Sequence, residues 1–433
     1  QEQLCTEHGF RAAMVTIGLL VAASPYGRSL KALRDDHVAA RAHGVDAFAH
    51  QLSVFTLSSG LAGFVGALWA HYFAFITPSA FDLEQTIFIA AIVVLGGVGN
   101  MAGSIVAAFV LVSLPQVLRT VEIGSDRSAQ IQQIAYGLLL IGFMVFRPQG
   151  LLREPIGRPP RLAGDPVPTT RSDPTHRAES GAGMLEARGL SKAFGGVRAL
   201  DDVSITLPLG TVTALIGPNG AGKTTLFNVL TGDVRADAGT VLLGGRDITG
   251  LRPDRIVRLG VARTFQDVRL FPSLSAYDNV AMAVPDQYGA SLRSLVRHPV
   301  RTFTGRREIA DRVDRALVAV GFDGDPATPV GELGYGEQKL VALARLLATD
   351  PDVVLLDEPS AGTDAVWVER VLDIIVRLAA EGRAVCIVEH NLDLIRRLDG
   401  VAYFLDEGRV VAHGTVDELM SQRQLLETYL GLV

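Results

Sequence analysis

Cysteine is nearly absent. Two occur in 433 residues, Cys5 and Cys386, far apart and without C-x-x-C spacing, so neither a disulfide framework nor a cysteine-ligated metal site is supported, and a reduced compartment fits best. No basic tract is present and the formal net charge is only -6, which sets aside nucleic acid as a main partner. Charge itself is missing from two stretches: 51–81 and 85–118 contain no Asp, Glu, Lys or Arg. Uncharged apolar runs of that length read as membrane-embedded. Residues 147–183 lack aromatics and hold seven prolines, a composition that builds no core, so 148–183 reads as a Pro-rich linker. The start, QEQLCTEH, has neither an initiator Met nor a basic segment ahead of an apolar one. No signal peptide is expected there, and the abrupt entry into apolar sequence suggests that an upstream part is missing.

What is present divides in two. Hydrophobic residues make up 48% of the chain, more than two soluble domains need, and the excess lies in apolar blocks at 10–26, 51–73, 86–118 and 131–146. The polar stretch between the first two carries Arg28, Lys31, Arg34 and Arg41, whereas 74–85 carries no Lys or Arg, placing 27–50 in the cytoplasm and 74–85 outside. Arginines 147, 153, 158 and 161 follow the last block, which therefore runs inward. Block 86–118 must then enter and leave by the same face, as two short helices broken at GGVGNMAGS, residues 96–104. Small residues there are explained equally well by close helix packing.

From residue 184 the pattern becomes that of a soluble α/β domain, with TVTALIG, DVVLLD and AVCIVEH as buried parallel strands. GPNGAGKTT, residues 217–225, follows the first of these and precedes a helical stretch, the setting a phosphate-binding loop requires. Gly217, Pro218, Asn219, Gly220, Ala221 and Gly222 form the loop whose backbone N–H groups close on phosphate at a helix N-terminus. Lys223 is expected to reach the β- and γ-phosphates, Thr224 to ligate Mg²⁺, and Thr225 to complete the site. In VVLLDEPS, Asp357 closes a strand where it can hold the Mg²⁺ shell, and Glu358 beside it can deprotonate an attacking water.

With those motifs in order, residues 184–433 resemble the ATPase subunit of ATP-binding cassette (ABC) transporters. The resemblance implies that Phe194 stacks on adenine, that Gln266 in RTFQDVRLF links γ-phosphate and Mg²⁺ to a permease, and that His390 in CIVEHNLDLI is the switch histidine. Asp364 in AGTD matches a loop crossing the dimer interface. LGYGEQ, comprising Leu333, Gly334, Tyr335, Gly336, Glu337 and Gln338, resembles the family signature that caps ATP held by another ATPase subunit. Gly334 stands where that signature usually has serine, which removes a hydroxyl donor.

Narrower stretches, ARTFQDVRLFPSLSAYDNV, LGYGEQKLVALARLL and GRVVAHGTVDELMSQRQLLETYLG, resemble the ATPases of branched-chain (hydrophobic) amino acid importers. GRSLKALRDDHVAARAHGVDAFAHQ, IVVLGGVGNMAGSIVAA and FRPQGLL resemble the closing part of the matching permease. Within the first, Ala39, Ala40 and Gly44 have the spacing of the importer coupling motif, with Val38 where Glu is usual. A solvated amphipathic helix explains the same short pattern. The expectation is an α-helical transmembrane domain, a partial permease over 1–147, fused to a P-loop ABC ATPase with a helical subdomain over 184–433.

The resemblance implies ATP and Mg²⁺ as cofactors and a multi-pass location in the cytoplasmic membrane with a cytoplasmic ATPase. It also implies several partners: a second permease, a second ATPase, an extracytoplasmic binding protein, lipid, and an amino acid as substrate. Urea, amides or aromatic acids remain alternative cargoes. An exporter half-transporter would have a membrane part about twice as long, with extended cytoplasmic helices.

Overall fold

A computed structural model of the chain describes residues 14–73, 83–120, 137–138, 141–142, 145, 150–152, 184–264, 267–361, 365–390 and 392–422. Two compact units are present: 1–23 with 51–156, and 24–50 with 157–433.

After a helical stretch at 14–22, α1 (Pro25–Asp35) and α2 (His37–Ala42) are followed by α3 (Ala47–Phe73), α4 (Leu83–Gly96) and α5 (Met101–Thr120). Ser24 caps α1 and Asp36 caps α2, its carboxylate accepting from the Val38 and Ala39 N–H groups, each satisfying donors that a helix start leaves free. Among the described residues, one helix, Ala47–His71, is long and apolar enough to cross a membrane, and none of its most apolar window is buried. Side chains such as Phe55 and Trp69 are exposed along it, as lipid contact requires.

Block 86–118 is indeed broken into two helices, α4 and α5, of 14 and 20 residues. They pack through Ala91, Leu95, Ala107 and Leu111. A Cβ on Gly96 would meet the Gly103 and Ser104 backbone, and one on Gly103 would strike the Gly96 carbonyl, so the approach admits only glycine at both positions. Buried Asn100 ties the break, its Oδ1 accepting from Gly103 N and its Nδ2 donating to Leu152 O, while Leu151 N donates to Leu95 O. Residues 150–152 are thereby bound to the helix break. Most of block 131–146 and, apart from residues 150–152, which are held against the helix break, the linker 148–183 lie outside the described residues.

The second unit continues with β1 (Leu185–Phe194), β2 (Val197–Leu207), β3 (Val212–Ile216), α6 (Lys223–Leu230), β4 (Ala238–Leu243), β5 (Arg246–Asp247), α7 (Pro253–Arg258) and β6 (Val261–Arg263). Next come α8 (Ala276–Ala283), α9 (Leu292–Arg297), α10 (Pro299–Thr304), α11 (Arg306–Ala319) and α12 (Tyr335–Ala348). The chain closes with β7 (Val353–Asp357), α13 (Ala365–Ala380), β8 (Ala384–Val388), α14 (Leu392–Arg397), β9 (Val401–Asp406), β10 (Arg409–Thr415) and α15 (Val416–Ser421).

One sheet has the order β10-β9-β3-β8-β7-β6, parallel except for β10. Every residue of β3, β7 and β8 is buried, which is why those segments are uninterrupted apolar runs. A second, antiparallel sheet, β2-β1-β4-β5, covers one face through Leu190 and Leu200 together with Leu226 and Phe227 of α6, and other helices cover the opposite face through Val313, Val341, Ile375 and Leu394. The chain thus combines an N-terminal helical region with a C-terminal α/β domain that carries a group of helices over one face of its sheet.

Candidate nucleotide and coupling site

Three parallel strands end side by side and deliver the chemistry. β3 runs into the glycine loop, β7 into Asp357 and Glu358, and β8 into Glu389 and His390. Clefts at the carboxyl ends of parallel strands are where such folds place ligands.

Gly217, Gly220 and Gly222 all have positive φ (150°, 84° and 100°), a region open to glycine at little cost. A Cβ would strike the Leu405 carbonyl at Gly217 and the Ala199 carbonyl at Gly222, whereas at Gly220 it would meet open space. Asn219, Gly220 and Thr224 are exposed, Gly217 and Ala221 are buried, and Pro218 and Thr225 lie between. The loop is braced from behind and open in front. Lys223 opens α6 and donates from Nζ to the Gly217 and Pro218 carbonyls at 2.7 and 2.8 Å, so its ammonium already lies within the loop. Burial lowers its pKa, against the opposing pull of Glu358 and Asp357. Phe194 ends β1 with an exposed ring.

Asp357 is 3% exposed. Its backbone N–H donates to Thr264 Oγ1, and Arg263 Nη2 lies 3.5 Å from Oδ2, an oxygen that is buried without a hydrogen bond. Burial raises its pKa, and Arg263 offsets this in part. A buried oxygen short of a partner fits a divalent cation, since a bound ion would repay the desolvation. The donor set Asp357 and Thr224 is the oxygen chemistry that Mg²⁺ prefers; Gln266, the third expected ligand, lies outside the described residues.

Glu358 has φ 45°, a left-handed conformation that costs a non-glycine residue on the order of 1 kcal/mol and clusters at functional sites. Its N–H donates to Val388 O, and its Oε1 lies 2.9 Å from His390 Nε2. The two residues assigned to hydrolysis are therefore in direct contact.

Three side chains that the motif reading passed over hold the turn behind Glu358. Glu389, 3% exposed, accepts from Ser360 N and from His390 N. Trp367 Nε1 donates to Pro359 O, and Lys339 Nζ to Ala361 O. Adjacency to His390 was the only signal for Glu389. Lys339 and Trp367 carry none, because they act through backbone carbonyls. Asp364 lies outside the described residues.

In the LGYGEQ loop, Leu333 is buried while Gly334, Tyr335 and Gly336 are exposed. Gly334 N donates to Glu337 Oε2 and Gln338 Nε2 to Leu333 O. Only half of a capping box forms, since glycine has no side chain to cap the third residue of α12.

Residues 24–50 belong to the same unit as the ATPase fold and lie on it through both apolar and charged contacts. Ala32, Ala39, Ala40 and Val45 pack with Phe271, Leu274 and Met282. Asp35 accepts from Ser273 Oγ at 2.6 Å, Asp36 pairs with Arg269, Asp46 with Arg252, and Arg28 with Asp278 and Gln287. Ala39 and Ala40 are wholly buried, so a solvated helix does not describe this segment.

The family of branched-chain amino acid transport system permease components matches residues 10–146, and the ABC transporter family matches 200–361. LivG of Salmonella typhimurium, a high-affinity branched-chain amino acid transport ATP-binding protein, is 34% identical over 252 residues, covering 57% of this chain and 98% of that protein. The chain belongs to the branched-chain amino acid ABC transporter family. Further relatives of this ABC subunit are BraF of Pseudomonas aeruginosa, 33% identical over 250 residues (57% and 98%), and a probable LivG of Archaeoglobus fulgidus, 34% identical over 248 (57% and 95%). A nucleotide-free ATP-binding cassette crystal structure aligns with a TM-score of 0.49 at 31% identity, covering 57% of this chain and 98% of that one. Those relatives match the ATPase part alone, whereas this chain also carries the permease match at 10–146. Nucleotide binding, ATPase chemistry and association with a membrane and with other transporter subunits follow from the family.

Proposed function

We propose that this fused subunit drives import of branched-chain or related amino acids across the cytoplasmic membrane, as part of a multi-pass permease with its ATPase in the cytoplasm. One observation carries the reading: a permease match and an ATPase match to the same transport system lie in one polypeptide. Phe194 stacks on adenine. The loop from Gly217 to Gly222, with Thr225, surrounds the phosphates, and Lys223 exchanges two backbone carbonyls for phosphate oxygens.

Thr224, Asp357 and Gln266 would hold Mg²⁺, which when bound neutralises phosphate charge. Glu358 takes the proton of the attacking water, and His390, 2.9 Å away, holds that carboxylate and faces the γ-phosphate. The exposed LGYGEQ loop offers its N–H groups to nucleotide on a second ATPase, and Asp364 crosses the same interface. Closure of the two ATPases moves residues 24–50 and with them the permease.

The working complex adds a second permease, a second ATPase and an extracytoplasmic binding protein. The test is uptake and ATP hydrolysis in membrane vesicles with a panel of binding proteins loaded with leucine, isoleucine, valine, urea, amides or aromatic acids. Stimulation by the branched-chain set supports the reading. Stimulation by another set alone rejects the substrate class.

A further inference from the structure

His43 caps the C-terminal end of α2 and is 7% exposed, with neither ring nitrogen hydrogen-bonded. It lines a cavity of about 40 Å³ together with Arg345. Arg345, 3% exposed, stacks on Phe271 and donates from Nη2 to the Arg269 carbonyl at 2.6 Å, while its Nε and Nη1 are buried without partners. Leucine or methionine would fill this place without leaving polar atoms unsatisfied, so the imidazole stands at a cost to stability. Arg345 lies on α12, the helix that LGYGEQ begins, and its carbonyl partner lies three residues after Gln266. One guanidinium thus joins the signature helix to the glutamine loop, and His43 is the permease-loop side chain set beside it.

We propose that His43 is a positioning residue for coupling: by filling the cavity it shares with Arg345, it keeps the 24–50 loop seated where signature helix and glutamine loop are tied together. This rests on the transport reading only for its uptake readout. The groups lining the cavity around it are Arg345 and Lys339 from α12, Arg263 from β6, Asp267 and Arg269 from the following loop, and Asp357 and Glu358 from the end of β7.

A second cation beside Arg345 is unfavourable. Burial first, and then the Arg345 charge, hold the His43 imidazole well below the ordinary histidine pKa. A depressed histidine favours the seated loop above its free pKa and loses that contribution as pH falls below it. Seating should weaken by up to about tenfold per pH unit under that point.

The experiment uses the full chain in vesicles, with cysteines at Asp35 and Ser273, whose side chains meet at 2.6 Å, joined by a short bifunctional thiol reagent. Because the thiolate is the reacting form, each yield is divided by the extent to which the same reagent labels a free thiol at that pH; the yield so corrected is expected to be high at neutral pH and to fall as pH drops below the ordinary histidine range. His43→Gln flattens that profile, His43→Lys lowers the yield at every pH, and His43→Lys with Arg345→Met recovers it. ATP-driven uptake follows the same order, whereas nucleotide binding does not change. A profile unchanged by His43→Gln, or a His43→Lys variant that seats normally, overturns the proposal. Cross-linking that behaves as stated without any amino acid uptake leaves the seating role standing and rejects the transport reading instead.

Discussion

The ATPase unit presents two glycine-bearing loops at helix N-termini, and they are finished differently. Around the phosphate loop the protein closes its own site: Leu405 and Ala199 back the glycines, Lys223 reaches in, and Asp357, Glu358 and His390 stand at neighbouring strand ends. LGYGEQ has the same polarity, with N–H groups at the start of α12, yet Gly334, Tyr335 and Gly336 face outward and a Cβ at Gly336 would meet nothing within 4 Å. On the proposed function, these exposed N–H groups serve nucleotide held by another chain, so that each chain would keep one half-site for its own nucleotide and lend the other.

Substitutions on the two loops should part company. The largest effect is expected for Glu358→Gln, which keeps shape and removes the base: phosphate release falls by about 10²–10⁴, ATP stays bound, and the ATP-dependent dimer persists in gel filtration. Gly336→Asp places a carboxylate where a partner's phosphate should sit. Hydrolysis is expected to drop about 10²–10³ through loss of electrostatic stabilisation, with ATP affinity of the chain's own site, read by fluorescent nucleotide titration, unchanged. Glu389→Ala strips acceptors from Ser360 N and His390 N and should lower hydrolysis about tenfold by loosening the Glu358 turn. Gly334→Ser returns a hydroxyl donor and completes the α12 cap, and a gain of about two- to fivefold in turnover is expected. A loss of ATP affinity in Gly336→Asp would erase the contrast between the loops.

Much of this was legible in the sequence because it is local. Buried parallel strands appear as unbroken apolar runs, the phosphate loop depends on glycines at fixed spacing, and the helix break at 97–100 announces itself in GGVGN. The contact of Glu358 with His390 follows once two adjacent parallel strands are known to end together. What escaped reading depends on distant pairing: Asp46 meets Arg252 and Asp35 meets Ser273 across more than 200 residues, and Lys339 and Trp367 act through backbone carbonyls that no motif records. The antiparallel sheet was also unread, since the half-buried β1 and β2, interrupted by register shifts, lack clean alternation.

Mixing two inactive chains tests the half-site account most directly. Lys223→Ala spoils the finished half and leaves the signature intact; Gly336→Asp does the reverse. Mixed in equal amounts with ATP, they should regain about a quarter of the wild-type hydrolysis rate, because half of the dimers then carry one complete site. A mixture as inactive as its components would contradict the claim that nucleotide is clamped between two chains.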